Sequence, residues 1–288
     1  MNQSPIGIMQ GRLSAPPPDR IQAFPRSSWA DEFDHARALG LDTIEWLFEA
    51  DRFEQNPIWT DEGLAAIEAR IAETGVAVRT LCADYFMVHP FFRVTSRERD
   101  ESVAVLRRLL PRAARLGIRV ILMPVLEIAE VRTPDEARAL VESLRGPLDV
   151  AAGLGMSIGL ETELPAAAYR ALVESAGHPA LGVYYDTGNA ASRGYDTVAD
   201  LAVLGDLVRG IHLKDRTPGG PTVPLGTGAV DFPGVRRALD AAGYAGPLIL
   251  QSTAGADFLG SARRHLAFVR ALPGGAPADS HVPEEEGA

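Results

Sequence analysis

Four polar residues, Glu161, Asp186, His212 and Gln251, each close a short apolar run: SIGLE, GVYYD, RGIH and PLILQ. They follow one another at separations of 25, 26 and 39 residues. If the four runs are parallel strands side by side, the four side chains converge on one point. Two carboxylates, an imidazole and an amide oxygen make a mixed oxygen–nitrogen set without sulfur. Such a set suits Mn²⁺ first, and also Mg²⁺, Co²⁺ or Zn²⁺, in an open site that leaves positions for water or substrate oxygens. One acid at a strand end is ordinarily a loop cap or a salt-bridge partner. Four ligand types at four successive strand ends argue for a metal centre.

The elements that would carry these residues alternate eight times. Strand patterns run over residues 6–10, 43–48, 76–83, 119–126, 156–162, 181–186, 208–213 and 247–252. Most are continuous apolar runs, as expected of strands buried on both faces in a parallel sheet. Helical patterns lie between them at Trp29–Leu39, Asp61–Thr74, Arg97–Leu116, Pro134–Leu154, Ala166–Ser175, Thr197–Leu204, Phe232–Ala242 and Ser261–Leu272. Thr60 and Thr133-Pro134 read as helix starts, and Gly40, Gly75, Gly117, Gly155 and Gly243 as helix stops. Eight strand–helix units predict a single (β/α)8 TIM barrel over residues 1–272. A doubly wound open sheet would carry a glycine fingerprint after its first strand, where QGRLS stands instead. The Gly-, Pro-, Ala- and Glu-rich segment 273–288 reads as a disordered tail.

Composition narrows the partners. The chain has 288 residues, 46% of them hydrophobic, enough for a sizeable core. With 38 acidic against 28 basic residues the net charge is −10, which argues against a nucleic-acid backbone as partner. Cys82 is the only cysteine, so neither an intrachain disulfide nor a thiolate cluster is available. No apolar run approaches the length of a membrane span, and the first residues do not resemble a signal peptide. A cytoplasmic enzyme with a small-molecule substrate, and no nucleic-acid or membrane partner, is the expectation.

Several other residues belong at the C-terminal mouth of such a barrel. Lys214 and Asp215 follow His212 directly. Lys214 is a candidate catalytic and substrate contact through an oxyanion or phosphate, or else the partner of Asp215 in a salt bridge. Gln10 and Arg12 follow the first strand, and Arg12 and Arg216 are candidates to hold a phosphate or carboxylate. Glu45, inside an apolar strand next to Trp46, needs a partner; Arg12 or Lys214 is one candidate, and a role in packing or in supporting a site residue is the preferred reading. His89 lies in the aromatic segment DYFMVHPFF, which would either cover a substrate or form a homo-oligomer contact. Gly226 and Gly228 could cradle a phosphate, while Asp231 reads as the N-cap of the next helix.

The segments LETE, YYDTGN, HLKD and GTGAVDF, with GIMQGRLS at the start and GYAGPLILQ near the end, resemble the xylose isomerase-like TIM-barrel superfamily. Within it the match is to sugar and sugar-phosphate isomerases and epimerases, ketose 3-epimerases included, over about Ile6 to Ala271. The resemblance implies that Glu161, Asp186 and His212 bind a divalent metal and that position 251 completes the site. In the ketose epimerases the first and last of these are both glutamates and act as paired acid and base on opposite faces of the substrate carbon. Glu161 matches that role and Gln251 does not, because an amide cannot take the proton.

Three outcomes follow from Gln251. Glu161 acts alone in an aldose–ketose isomerisation; or a second acid such as Glu163, Glu127 or His89 replaces the missing one; or a β-hydroxyl is lost, as in the inosose dehydratases of the same superfamily. A sugar-binding barrel that has lost catalysis is the non-enzymatic alternative. Phosphodiester cleavage, as in the related apurinic endonucleases, would need more histidines at strand ends and a basic face.

Overall fold

The computed structural model describes residues 4–15, 22–252 and 255–273. Its eight barrel strands are β1 (Ile6–Met9), β2 (Thr43–Leu47), β3 (Ala77–Cys82), β4 (Val120–Pro124), β5 (Ser157–Glu161), β6 (Leu181–Asp186), β7 (Val208–Leu213) and β8 (Leu248–Leu250). Each pairs in parallel with its sequence neighbours, and β1 closes the ring by pairing with both β2 and β8. Closure excludes the doubly wound alternative. Every residue of β2, β4 and β6 is buried, which is why these strands read as unbroken apolar runs.

The outer layer consists of α1 (Asp31–Leu39), α2 (Asp61–Thr74), α3 (Ser96–Arg115), α4 (Pro134–Gly153), α5 (Ala166–Ser175), α6 (Thr197–Leu204), α7 (Phe232–Ala241) and α8 (Phe258–Arg270). In α4, Leu140, Val141, Leu144, Leu148 and Ala151 form one buried stripe at helical spacing. Each buried leucine of this kind contributes roughly 1.5–3 kcal/mol. Thr133 caps α4 through the Glu136 amide, and Glu136 answers on the Thr133 amide. Gly40 and Gly75 end α1 and α2 at φ of 76° and 74°, a conformation a Cβ would strain.

The differences from the expected elements are local. α1 begins at Asp31 instead of Trp29, and the last helix spans Phe258–Arg270 because Asp257 caps it on the Gly260 amide. Small elements at the mouth that were not expected include helices at Tyr85–Val88 and Thr187–Ser192, and an antiparallel ribbon pairing Asp215–Arg216 with Thr222–Val223. The expected tail, from 274 onward, lies outside the described residues. Among the described residues no helix is long and apolar enough to cross a membrane.

Candidate active site

Strand register brings the predicted ligands together at the C-terminal end of the barrel. Asp186 lies directly opposite His212 on β6 and β7, and Glu161 closes β5 opposite Pro124. Ligand atoms of Glu161, Asp186 and His212 all lie within 4.8 Å of one another, and all three residues are buried. Gln251 directly follows β8; its backbone N–H donates to the Leu213 carbonyl at 3.1 Å, and it lines the same cavity. His212 Nδ1 and Gln251 Oε1 are both buried without a hydrogen-bond partner. A buried polar atom left unpaired costs about 1–3 kcal/mol. Two such atoms at one end of the barrel, with two carboxylates, are accounted for if a cation takes their lone pairs. Donor set and orphaned atoms therefore fit a divalent metal.

The orientation of His212 is fixed from the other side of its ring. Its Nε2 lies 2.5 Å from Glu45 Oε1, and the Tyr184 hydroxyl donates to Glu45 Oε2. Glu45 and His212 are fully buried. A carboxylate accepting from Nε2–H leaves Nδ1 as the ligating nitrogen, the arrangement that holds metal-bound histidines in one tautomer. Tyr184 reaches Glu45 because two glycines make room for it. A Cβ at Gly210 would collide with the Tyr184 ring, and one at Gly159 would lie 3.0 Å from its Cβ. The glycines inside SIGLE and VRGIH are thus part of the site's construction. Glu45 has the buried partner that its place in an apolar strand demands, but that partner is His212 with Tyr184, and neither Arg12 nor Lys214. Trp46 packs into the core with its indole N–H on Asn56.

Charge within the cluster is strongly perturbed. Burial, then the nearby Asp186, pushes the Glu161 carboxyl up to about 8. Burial also works against ionised Asp186, yet Lys214, His212 and the Asn189 amide together hold it down at about 2. Burial likewise opposes a charged His212, but Glu45 and Asp186 outweigh it and raise the ring to about 10. Two carboxyls at neighbouring strand ends thus differ by several units, a separation typical of acid–base sites.

Above the cluster is a cavity of about 460 Å³ whose lining includes Arg12, Gln22, Asp84, Glu127, Glu161, Glu163, Asn189, Lys214, Arg216 and Gln251. Asn189 links the two sides of the site. Its Nδ2 donates to Glu161 Oε1 at 2.9 Å, while its Oδ1 accepts from Lys214 Nζ at 3.1 Å and Arg216 Nη1 at 3.3 Å. Lys214 Nζ also lies 3.3 Å from Asp186 Oδ2. Asp186 in turn caps the short helix Thr187–Ser192 by accepting from the Asn189 backbone amide at 2.8 Å. The sequence DTGN is therefore an N-cap that delivers Asn189 to the site. That signal was readable and was not used. Arg12 enters from the loop after β1, donating to Gln22 Oε1 at 2.9 Å.

Not every candidate arrives. Asp215 is fully buried, and its carboxylate accepts from the backbone amides of Gly226, Gly228 and Val230 at 2.8–3.2 Å. It clamps the loop after β7 instead of lining the cavity, and it occupies the very N–H groups of Gly226 and Gly228 that a phosphate would need. Lys214 pairs with Asp186 and not with Asp215. His89 stacks on Tyr85 with ring centroids 4.5 Å apart and is not among the cavity-lining residues. Asp231 caps α7 through the Gly234 amide, as expected. A larger recess of about 670 Å³ lies among Ser4, Asp42, Thr43, Gly75 and Arg79, at the starts of β1–β3 and thus at the opposite end of the barrel. It holds no comparable ligand cluster, so chemistry and not volume selects the site.

Comparison with known proteins agrees with the barrel fold. Residues 33–272 match the family model described as xylose isomerase-like TIM barrel. An L-ribulose-5-phosphate 3-epimerase from Salmonella typhi is 27% identical over 258 residues, covering 86% of this chain and 87% of that protein. Among solved structures, an L-ribulose 3-epimerase superposes with a TM-score of 0.75 at 20% identity, over 93% of this chain and 94% of the other. A xylose isomerase-like TIM-barrel protein from Mycobacterium smegmatis, solved in complex with magnesium, gives a TM-score of 0.69 at 19% identity over 92% and 95% of the two chains.

Proposed function

The chain belongs to the xylose isomerase-like TIM-barrel family, and from that premise we propose that it is a divalent-cation-dependent sugar or sugar-phosphate epimerase or isomerase. The reaction is proton transfer at the carbon next to a carbonyl, through an enediolate. One observation carries the reading: Glu161, Asp186 and His212 converge within 4.8 Å, with His212 Nδ1 buried and without a partner. Glu161, Asp186, His212 and Gln251 would hold the cation, Mn²⁺ or Mg²⁺. Bound there, the cation supplies Lewis-acid polarisation of the substrate carbonyl and offsets the enediolate charge.

The chain's own residues account for the rest. Glu161, buried at the end of β5 beside Asp186 and His212, is placed to take a proton from carbon as its carboxylate. Asn189 fixes one of its oxygens, so the other is presented in a defined direction. Lys214, anchored by Asp186 and Asn189, is the cationic contact for a developing oxyanion. Arg12 and Arg216, with Gln22, line the remainder of the cavity and suit hydroxyl or phosphate oxygens of the substrate. The L-ribulose-5-phosphate 3-epimerase likeness supports a ketose or its phosphate as substrate class. The experiment is to incubate chelator-stripped and Mn²⁺-supplemented protein with L-ribulose 5-phosphate, D-psicose and related ketoses, and to follow epimer formation by NMR. Mn²⁺-dependent conversion of at least one ketose is expected. Absence of conversion across free and phosphorylated ketoses would overturn the reading.

A further inference from the structure

Inversion at a carbon next to a carbonyl is most simply carried by two proton-transfer groups, one on each face. The Gln251 amide cannot take a proton, so the proposed reaction leaves one role unfilled. Among the described residues the acids lining the cavity are Asp84, Glu127, Glu161 and Glu163. Glu163 is paired with Arg193 through two guanidinium nitrogens. Glu127 is solvent-exposed, on a turn with φ of 53°. Lys214 is held between Asp186 and Asn189.

Asp84 differs from all of these. It sits two residues beyond Cys82, the last residue of β3, and the side chains that hydrogen-bond its carboxylate are neutral. Cys82 Sγ lies 3.1 Å from Oδ1, and Gln22 Nε2 donates to Oδ2. The Arg12 guanidinium donates to Oε1 of the same Gln22, and it and His212 act on Asp84 through their charge. Burial raises the Asp84 carboxyl above the ordinary aspartate range. Its placement relative to Glu161 also fits. β4 pairs with β3 on one side and β5 on the other, and its last residue, Pro124, lines the cavity between the two acids. Two strand spacings put their backbones about 10 Å apart, which leaves room for one substituted sugar carbon between the side chains.

We propose that Asp84 is the second proton-transfer group, facing Glu161 across the cavity and taking the role that Gln251 cannot. The assignment rests on the epimerase reading above. In one direction the Glu161 carboxylate takes the proton from carbon, the C–H electrons form the C=C bond and the carbonyl π pair moves onto oxygen, giving an enediolate. The Asp84 carboxylic acid then delivers its proton to the opposite face, so the two groups end with their protonation exchanged. The reverse reaction uses them in the opposite order. No oxidant, reductant or co-reactant is consumed.

The test uses full-length protein with Mn²⁺, L-ribulose 5-phosphate and D-psicose as probes, each with its 3-epimer, in D₂O. Asp84→Asn is expected to retain Mn²⁺ stoichiometry and its melting temperature. Epimer formation should fall by about 10²–10⁴-fold, the usual worth of a general acid–base group. One member of the epimer pair, the one whose proton faces Glu161, should still exchange that proton with solvent; the other should not. Undiminished turnover in Asp84→Asn, or equal loss of exchange from both epimers with Mn²⁺ still bound, would overturn the assignment. Wild-type protein supplies a second arm that does not depend on the variant folding. A single turnover in D₂O should place deuterium in the product, whereas product retaining the substrate's own hydrogen would mean one group carries the proton across. Wild type that exchanges no ketose proton at all would instead remove the epimerase reading itself.

Discussion

Loading the centre with a divalent cation must expel protons, and the site gives the count. Burial and Asp186 put the Glu161 carboxyl at about 8, and Glu45 and Asp186, overcoming burial, put His212 at about 10. Asp186, at about 2, is ionised already. Near neutral pH the cation-free centre therefore holds one proton on Glu161 and one on His212 Nδ1. Ligating oxygen and nitrogen can keep neither, so binding at about pH 7 should release close to two protons per cation. Apparent affinity should then rise by nearly 100-fold per pH unit around pH 7 and by about 10-fold per unit above pH 8, once Glu161 is already ionised. Calorimetric titration of chelator-stripped protein with Mn²⁺, in buffers of different ionisation enthalpy, measures the count directly. Glu45→Gln removes the main group that holds the His212 proton, so the count should drop toward one and affinity should fall by about 10–100-fold. Release of less than about half a proton near pH 7, or a count untouched by Glu45→Gln, would refute the reasoning.

Three further outcomes are expected. Gly210→Ala should push the Tyr184 ring off Glu45 and reduce Mn²⁺ affinity at least about 10-fold although residue 210 touches no ligand; unchanged affinity by the same titration would contradict it. Asn189→Ala should lower kcat/KM by about 10–100-fold through loss of a hydrogen bond to a charged group, with Mn²⁺ stoichiometry intact; steady-state kinetics decides, and unchanged kcat/KM would remove Asn189 from the site. Glu32, fully buried, accepts from the Gly11 and Leu13 amides, and burial raises it from 4.5 to about 7. Its folded value lies above its unfolded one, so the stability present below 4.5 is lost as pH rises toward 7, by at most about 3 kcal/mol. Glu32→Gln should abolish that slope in urea denaturation compared near pH 5 and pH 7.5; a slope equal to wild type would assign it elsewhere.

The barrel was legible because eight buried strands leave eight apolar runs, and glycine at helix ends marks where each run begins. The candidate metal ligands were legible for the same reason: Glu161, Asp186 and His212 are polar where an apolar run stops. What surrounds them was harder to read. Glu45 was visible as an acid in an apolar strand, but its partner His212 is 167 residues away in sequence, and only closure of β1 on β8 and of each strand on the next brings them together. Asp215 looked like a mouth residue because it follows Lys214; three backbone amides from a loop with no periodic pattern claim it instead. Asp84 and Gln22 carry no local pattern at all. Their pairing spans 62 residues.

The central claim is that Glu161, Asp186, His212 and Gln251 form one cation centre. Its most direct test is a crystal structure of the Mn²⁺-loaded protein with anomalous data collected at the manganese edge. A single strong anomalous peak is expected at the C-terminal end of β5–β8, liganded by Glu161, Asp186, His212 Nδ1 and Gln251 Oε1, with Glu45 still on His212 Nε2. A peak elsewhere, or none at a saturating Mn²⁺ concentration, would contradict it.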